Sequence, residues 1–181
     1  KANAQALVPD LAKFGNISGT KLSGQIALNA DIDANLNNQK SPLKSANVDI
    51  KAMDGIITAN LDNGKLKAKI QNILVQNIFL MIGQKPLLNG ELNGELNLDS
   101  IDIANLNGKG DIKLENGVLN AANLKELTNK EFPQNTTLNA HIKPTFTNST
   151  VHFASIINSN LATINKFDGS YDINKNSLEA L

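Results

Sequence analysis

An every-other-residue pattern dominates the chain and is clearest in residues 22–36, LSGQIALNADIDANL. Aliphatic residues or glycine hold every even position of this stretch, and polar residues hold every odd position except Ala27. Successive side chains of a β-strand point to opposite faces of a sheet. The pattern therefore predicts a strand with one apolar face and one polar face.

The same alternation recurs along most of the chain, separated by turn signals. The tripeptides MDG (53–55), DNG (62–64) and ENG (115–117) stand between alternating runs, and Asp-Gly and Asn-Gly pairs in such places favour tight hairpins. Further runs follow at 66–70, 88–98, 106–114, 138–142, 151–157, 167–173 and 178–180. Together they predict a mainly β fold of about ten to twelve antiparallel strands.

Helical signals are few. Pro9 can open one or two helical turns over the following DLAKF, because proline is tolerated at the first position of a helix. Residues Ala121–Lys130, AANLKELTNK, predict a short helix with Leu124 and Leu127 on one side. We expect both helices to lie between groups of strands and to cover an end of the sheet.

The chain also repeats itself. Residues 22–36 align without gaps on 92–106, and residues 49–59 align on 111–121, which places internal repeats at approximately 22–61 and 92–122. Such self-similarity is typical of arrays that grow by adding one unit to the next. We interpret residues 1–181 as a single repeating domain, and the start at Lys1 without a methionine suggests a fragment of a longer protein.

Composition excludes several classes of function. The 17 basic residues are all lysine and are balanced by 17 acidic residues, so the chain lacks the basic footprint of a nucleic-acid-binding protein. The absence of cysteine removes disulfides and thiol chemistry. No nucleophile elbow, phosphate-binding loop or arrangement of paired acids occurs. The sequence predicts neither an enzyme nor a cofactor site.

Two candidate metal sites are rejected. DIDAN at 31–35 resembles the start of a calcium loop, but Leu36 and Pro42 stand where the loop needs glycine and glutamate. His141 and His152 lack a third ligand and lie in the phase opposite to their apolar neighbours. We expect the aspartates and both histidines to occupy the solvated faces of strands.

Two longer segments resemble a known family. Leu106–Leu127, LNGKGDIKLENGVLNAANLKEL, resembles the strand, Asn/Asp-Gly turn, strand and short leucine-bearing helix of AsmA-like proteins. Pro9–Leu28, PDLAKFGNISGTKLSGQIAL, is similar to the segment of AsmA and TamB proteins in which a short helix leads into an L-x-G strand.

The resemblance implies a bacterial envelope protein that extends into the periplasm and, in its full length, is anchored to the inner membrane. It implies an extended antiparallel sheet that curls into an open groove with an apolar lining. It also implies transport of phospholipid towards the outer membrane, and a role in outer-membrane biogenesis with envelope proteins as further partners. The family pattern contains no catalytic residues.

We expect the apolar side of the alternating strands to line this groove and to shelter acyl chains. The predicted lining residues are Leu22, Ile26, Leu28, Ile50, Leu66, Ile70, Leu92, Leu96, Leu98, Ile112, Leu114, Leu138, Ile142, Phe153, Tyr171 and Ile173. Alternation fails at Leu74–Gly83, LVQNIFLMIG, which predicts a strand end or helical turn that plugs the end of the sheet. The alternative for that stretch is a flexible apolar lip where lipid enters or leaves.

Other readings of the strands remain open. A β-sandwich or closed barrel would use the apolar face as its own core, although 4% aromatic residues and the many glycines on that face give it little bulk. A single tyrosine argues against the aromatic girdles of a transmembrane barrel. A structural or chaperone-like module could instead bind strands of outer-membrane proteins by β-augmentation, and a passive stalk or adhesin would bind neither lipid nor strands.

Overall fold

The structure, a computed structural model, describes residues 1–14, 23–34, 43–102, 105–175 and 177–180. Eleven strands follow one another along the chain: β1 (Ala2–Val8), β2 (Ile26–Ala34), β3 (Leu43–Ala52), β4 (Gly55–Asp62), β5 (Lys65–Leu74), β6 (Leu88–Ser100), β7 (Asn107–Leu119), β8 (Asn139–Thr147), β9 (Thr150–Asn158), β10 (Thr163–Asp172) and β11 (Ser177–Ala180). Two helices interrupt them, α1 (Val75–Met81) and α2 (Ala121–Thr128), and a 3₁₀ turn spans Leu11–Phe14. No helix in the described ranges is both long enough and apolar enough to cross a bilayer.

All eleven strands form one antiparallel sheet in the order of the chain. Each strand pairs with its neighbours in sequence, and β1 and β11 do not pair with each other, so the sheet is open. Within the described part of the chain, no strand packs extensively on any strand other than these neighbours. The predicted mainly β, open antiparallel sheet is confirmed, and the sandwich and closed-barrel alternatives are wrong.

Two of the predicted hairpins have the expected turns. Met53 and Asp54 join β3 to β4 with φ of 54° and 59°, and Asn63 and Gly64 join β4 to β5 with φ of 47° and 81°. Positive φ at both central residues is the signature of a type I′ turn, whose twist matches that of the flanking strands.

The turn predicted at ENG (115–117) is wrong. Strand β7 continues through this tripeptide to Leu119 and stays paired with β6, with a register shift opposite Gly90. Asn116 has a φ of 53° and Gly90 a φ of 152°, so the irregularity is a bulge in a continuing ladder. Strand β6 is 13 residues long and supplies a partner for β7 beyond the bulge.

The two ends of the strands carry different connections. The 3₁₀ turn, α1 and α2 all join strands at one end, which we call the helical end; the opposite end, the turn end, carries the β4–β5, β6–β7, β8–β9 and β10–β11 connections. The predicted helices near Pro9 and at Ala121–Lys130 are confirmed, the first as a 3₁₀ turn and the second ending at Thr128.

Helix α1 lies across the helical end, as predicted for a helical turn that plugs the sheet. The side chain of Gln76 accepts a hydrogen bond from Gly90 N of β6 at 3.1 Å, and Asn77 Nδ2 donates to Asp54 Oδ2 in the β3–β4 turn at 2.7 Å. At the end of the helix, Ser23 Oγ donates to the carbonyl oxygen of Leu80 at 2.6 Å. The helix therefore connects β6, the β3–β4 turn and the segment that leads into β2.

Glycines show the direction in which the sheet curls. Gly94 stands in register between Ile70 and Ile112, so a Cβ atom there would point to the apolar face. That atom would lie 2.5 Å from the carbonyl oxygen of Asp111 and 2.9 Å from the Cα of Ile112, closer than the Cβ atom of a real side chain approaches the backbone of a neighbouring strand. The neighbouring strand has moved towards the apolar side, so the sheet curls around its apolar face.

The buried core is small and lies mostly in the middle of the sheet. Ile73, at the end of β5 beside α1, is the largest side chain that is almost fully buried, at 2% exposed. The other buried apolar residues are Ala30, Ala46, Ala52, Leu61, Leu98, Leu106, Leu114 and Ala121. Most of the apolar face is therefore outside the core.

Candidate functional site

The strand register arranges the apolar face in four cross-strand rows, which we number from the helical end to the turn end. Row 1 comprises Val8, Ile26, Ala52, Gly55, Ile73, Leu92, Leu114, Ala140, Ile157 and Ile164. Row 2 comprises Ala6, Leu28, Ile50, Ile57, Ile70, Gly94, Ile112, Ile142, Ser155 and Phe167. Row 3 comprises Ala4, Ala30, Val48, Ala59, Ala68, Leu96, Gly110, Pro144, Phe153, Gly169 and Ala180. Row 4 comprises Ala2, Ile32, Ala46, Leu61, Leu66, Leu98, Gly108, Phe146, Val151, Tyr171 and Leu178.

The structure places most of the predicted lining residues in these rows. Leu22 lies outside the described residues, Leu138 precedes β8 by one residue, and Ile173 follows β10 in the turn to β11. Leu98 and Leu114 are 8% and 7% exposed, so they offer little surface to a ligand. The remaining predicted residues are half-buried in rows 1 to 4: Ile26, Leu28, Ile50, Leu66, Ile70, Leu92, Leu96, Ile112, Ile142, Phe153 and Tyr171.

Sequence reasoning missed one whole strand and one aromatic residue. Strand β1 adds Ala2, Ala4, Ala6 and Val8 to the face, and its alternation was readable in ANAQALV. The predicted alternating run ended at Ile142, but β8 continues beyond Pro144 and places Phe146 on the same face. A proline inside an alternating run argues against a central strand, so the signal there was ambiguous.

No charged side chain occupies any of the row positions given above, so the face carries no fixed electrostatic anchor. Its one polar side chain in rows 1 to 4 besides Tyr171 is Ser155, which is 6% exposed. In the described residues no second layer of strands packs over the aliphatic side chains. Their partial shielding from water therefore comes from the curl of the sheet. The face is a shallow, methyl-rich surface open to one side.

The opposite face, which we call the outer face, is mostly polar and internally hydrogen-bonded, although it also exposes Leu7, Ile56, Val118 and Ile156. Asn3 Nδ2 donates to Asp31 Oδ1 at 2.6 Å, which fixes the first strand pair from the outside. His141 Nε2 lies 2.8 Å from Asp111 Oδ2, and this hydrogen bond is the main cause that lowers the pKa of Asp111. As predicted, both histidines lie in this phase, with His152 exposed beside Thr145.

The dimensions of the apolar face follow from the strand count and row spacing. Eleven strands spaced about 4.8 Å apart give a sheet about 48 Å long. Row 1 and row 4 are six residues apart on a strand such as β2, from Ile26 to Ile32, which corresponds to about 20 Å. An amphiphile's hydrocarbon chain fits within either dimension.

Among the described residues, no group of three or more histidine, cysteine, aspartate or glutamate side chains is placed to hold a metal ion. The curled, uncharged apolar face is suited to contact with other apolar groups. Comparison with known proteins found no matching protein-family model and no significantly similar curated protein or solved structure.

Proposed function

We propose that this chain is a periplasmic, lipid-binding groove segment of an AsmA-like protein. In this proposal the curled apolar face shelters phospholipid acyl chains during transport between the inner and the outer membrane, and the full-length protein is anchored to the inner membrane. The observation that carries the proposal is a continuous apolar face across all eleven strands that no other layer covers in the described residues.

The energetic argument is direct. Exposed aliphatic surface costs free energy in water, and each methylene removed from water contributes about 0.8 kcal/mol. Half-buried residues such as Ile50, Ile57 and Ile70 stand side by side in row 2, so a hydrocarbon chain laid over them would cover apolar surface on both partners. Monomeric soluble proteins rarely leave contiguous apolar surface of this extent uncovered.

The same surface suits movement better than storage. Dispersion and hydrophobic contacts are non-directional, so aliphatic side chains bind a hydrocarbon chain without fixing its position along the face. Since no charged group stands in rows 1 to 4, a lipid can shift from strand to strand without breaking an ion pair. This supports a conduit that is tolerant of the head group.

A matched pair of double variants tests the proposal. Ile57→Asp with Leu96→Asp places two carboxylates on the apolar face of β4 and β6, and Thr58→Asp with Asn97→Asp places the same two charges on the outer face of the same strands. The measurement is native mass spectrometry of the purified chain after incubation with phosphatidylcholine. We expect bound lipid on the wild type and on the outer-face variant, and at least about tenfold less on the apolar-face variant, because a buried charge opposes burial of methylenes.

Circular dichroism shows whether each variant keeps its sheet. Equal lipid binding by two folded variants would contradict the proposal, as would a wild-type chain that binds no lipid at all.

One observation favours the second candidate function, a module that captures strands of envelope proteins. Among the residues that the structure describes, strand β1 pairs only with β2; it is exposed from Ala2 to Leu7 and has no charge, proline or bulge between Ala2 and Val8. Charges, prolines and bulges are the devices that usually prevent edge pairing. Binding of a strand-forming peptide, with Ala4→Pro as the variant that blocks the edge, would support this function; lipid binding that is insensitive to the peptide would support the groove.

A further inference from the structure

The two ends of the groove differ in the side chains that they expose. The large apolar side chains that the described residues expose at the helical end, away from the outer face, are Leu80, Ile82, Leu127, Leu161 and Ile164. Leu7, Ile56, Val118 and Ile156 are also exposed near this end, but their register places them on the outer face. At the turn end the corresponding residues are Ile101 and Leu178. The asymmetry extends from α1 to β10.

The helical end continues the apolar face of the groove. Leu88 and Leu119 pair with each other beyond row 1, and Leu138 N bonds to the carbonyl oxygen of Gly117 beside them. Beyond these strands, α1 exposes Leu80 and α2 exposes Leu127, which are 48% and 68% exposed. A recess of about 630 Å³ lies where α1 crosses the end of β3 and β4, but it opens beside the outer face, because Lys51 and Ile56 line it together with Leu80.

The turn end is polar. The connections that follow row 4 expose amides, hydroxyls and carboxylates: Asp62, Asn63, Asp102, Asn105, Asn107, Thr147, Asn148 and Asn174. Lys44 and Lys65 are exposed there and form no ion pair with another described residue. Hydrogen-bond donors and unpaired ammonium groups are favourable neighbours for the phosphate of a head group, and the carboxylates of Asp62 and Asp102 are favourable neighbours for a head-group cation such as that of phosphatidylcholine.

The width of the face accommodates one lipid lying along the strands. The distance from row 1 to row 4 is about 20 Å, and the acyl chains of one leaflet fill about 15 Å, half the thickness of the hydrocarbon core of a bilayer. A lipid with its head group beyond row 4 therefore keeps its whole acyl chains on the apolar face, where they end about 5 Å short of row 1. A head group at the helical end would instead lie against exposed Leu80 and Leu127.

From these features we propose that the groove holds lipids in one orientation, with head groups at the turn end and acyl chains parallel to the strands, directed to the helical end. The inference rests on the proposed lipid-binding function and adds an orientation to it. Lipids held this way lie side by side along the sheet. They move from strand to strand, perpendicular to the strand direction, while their head groups stay at the hydrated turn end. The helical end is then the edge over which acyl chains pass when lipid moves between the groove and a bilayer.

The test uses the absence of cysteine in this chain, which gives every introduced cysteine a unique label. Asn148→Cys and Leu161→Cys flank opposite ends of β9, the first at the turn end and the second at the helical end. Ala154→Cys lies on the outer face of the same strand, opposite Lys143 and Asp168, and reports background. Each cysteine carries a bimane fluorophore, and the full chain is mixed with phosphatidylcholine bearing a nitroxide quencher either on its head group or at the end of an acyl chain.

We expect the head-group nitroxide to quench Asn148→Cys at least about threefold more strongly than Leu161→Cys, because the nine-residue strand between them is about 30 Å long. The chain-end nitroxide should give the reverse order. Equal quenching at the two ends, or the opposite order, would overturn the orientation while leaving lipid binding in place. Quenching that never exceeds the Ala154→Cys background with either lipid would overturn the lipid-binding function, and the orientation with it.

Discussion

Replacing two isoleucines on the same face by alanine separates an open groove from a filled core. Ile73 is 2% exposed beside α1, whereas Ile57 is half-buried in the middle of row 2 between Ile50 and Ile70. Both side chains lose the same three carbon atoms, so any difference in the free energy of unfolding reports the surroundings. In a sandwich, both would lie in the core and cost about the same.

The expected magnitudes follow from burial. Removing three buried methyl or methylene groups costs about 2.4 kcal/mol from transfer alone, and the cavity left behind raises the total for Ile73→Ala to about 3–4 kcal/mol. Ile57→Ala leaves no closed cavity, because water already reaches that face. The Ile57 side chain is only partly removed from water on folding, so its loss forfeits only part of the transfer free energy. We expect about 1 kcal/mol for Ile57→Ala.

The assay is urea denaturation followed by far-UV circular dichroism on lipid-free protein, with the slope m compared between variants. The open face is supported if m is the same for all variants and the urea midpoint falls further for Ile73→Ala than for Ile57→Ala. If both variants lost about 3 kcal/mol of unfolding free energy, row 2 would be packed as tightly as the core. That result would refute the reasoning behind the groove.

Three further changes test local features of the fold. Gly94→Ala should cost about 1–3 kcal/mol in thermal or urea denaturation, because its new Cβ meets the carbonyl oxygen of Asp111 at 2.5 Å; a loss no larger than that of an ordinary surface substitution would contradict the curl inferred there. Asn120→Ala should cost about 1 kcal/mol by removing the side-chain oxygen that accepts from Asn123 N at 3.1 Å, and Asn120→Ser should restore most of it, so equal stabilities of the two variants would argue against the cap. Since the hydrogen bond from His141 lowers the pKa of Asp111 in the folded state, this pair stabilises the protein above about pH 4 and loses its contribution as the pH falls through the lowered pKa. The effect should stay well below about 1 kcal/mol, because the Asp111 side chain is 41% exposed, and a stability-versus-pH profile that is the same for wild type and Asp111→Asn would exclude it.

The alternation was sufficient to predict which side chains share a face, because the side-chain period of a strand is fixed by backbone geometry. Ile50, Ile70 and Ile112 were assigned to one face from spacing alone, and the register places them in the same row. The glycines were recognised from the sequence as positions of little bulk. Their role in bringing neighbouring backbones together became visible only in the paired strands, as at Gly94.

Two similar segments show where local sequence stops being decisive. DIKAMDG at 49–55 and DIKLENG at 111–117 carry the same turn signal, yet the first forms a hairpin and the second a bulge within β7. Strand β2 begins at Ile26, opposite Ala52, so β3 has no partner on that side beyond this point and the chain turns. Strand β6 extends back to Leu88, which pairs with Leu119, so β7 keeps a partner and continues.

The sequence by itself determined the strand content, the two faces and most of the turns, because these depend on periodicity and on backbone preferences of neighbouring residues. Only the tertiary structure decided whether the apolar face is covered, how far each strand extends, and that the helices gather at one end of the sheet. Those outcomes depend on pairing between segments that are distant along the chain. A residue's own neighbours in sequence carry no information about which partner strand, if any, will be beside it.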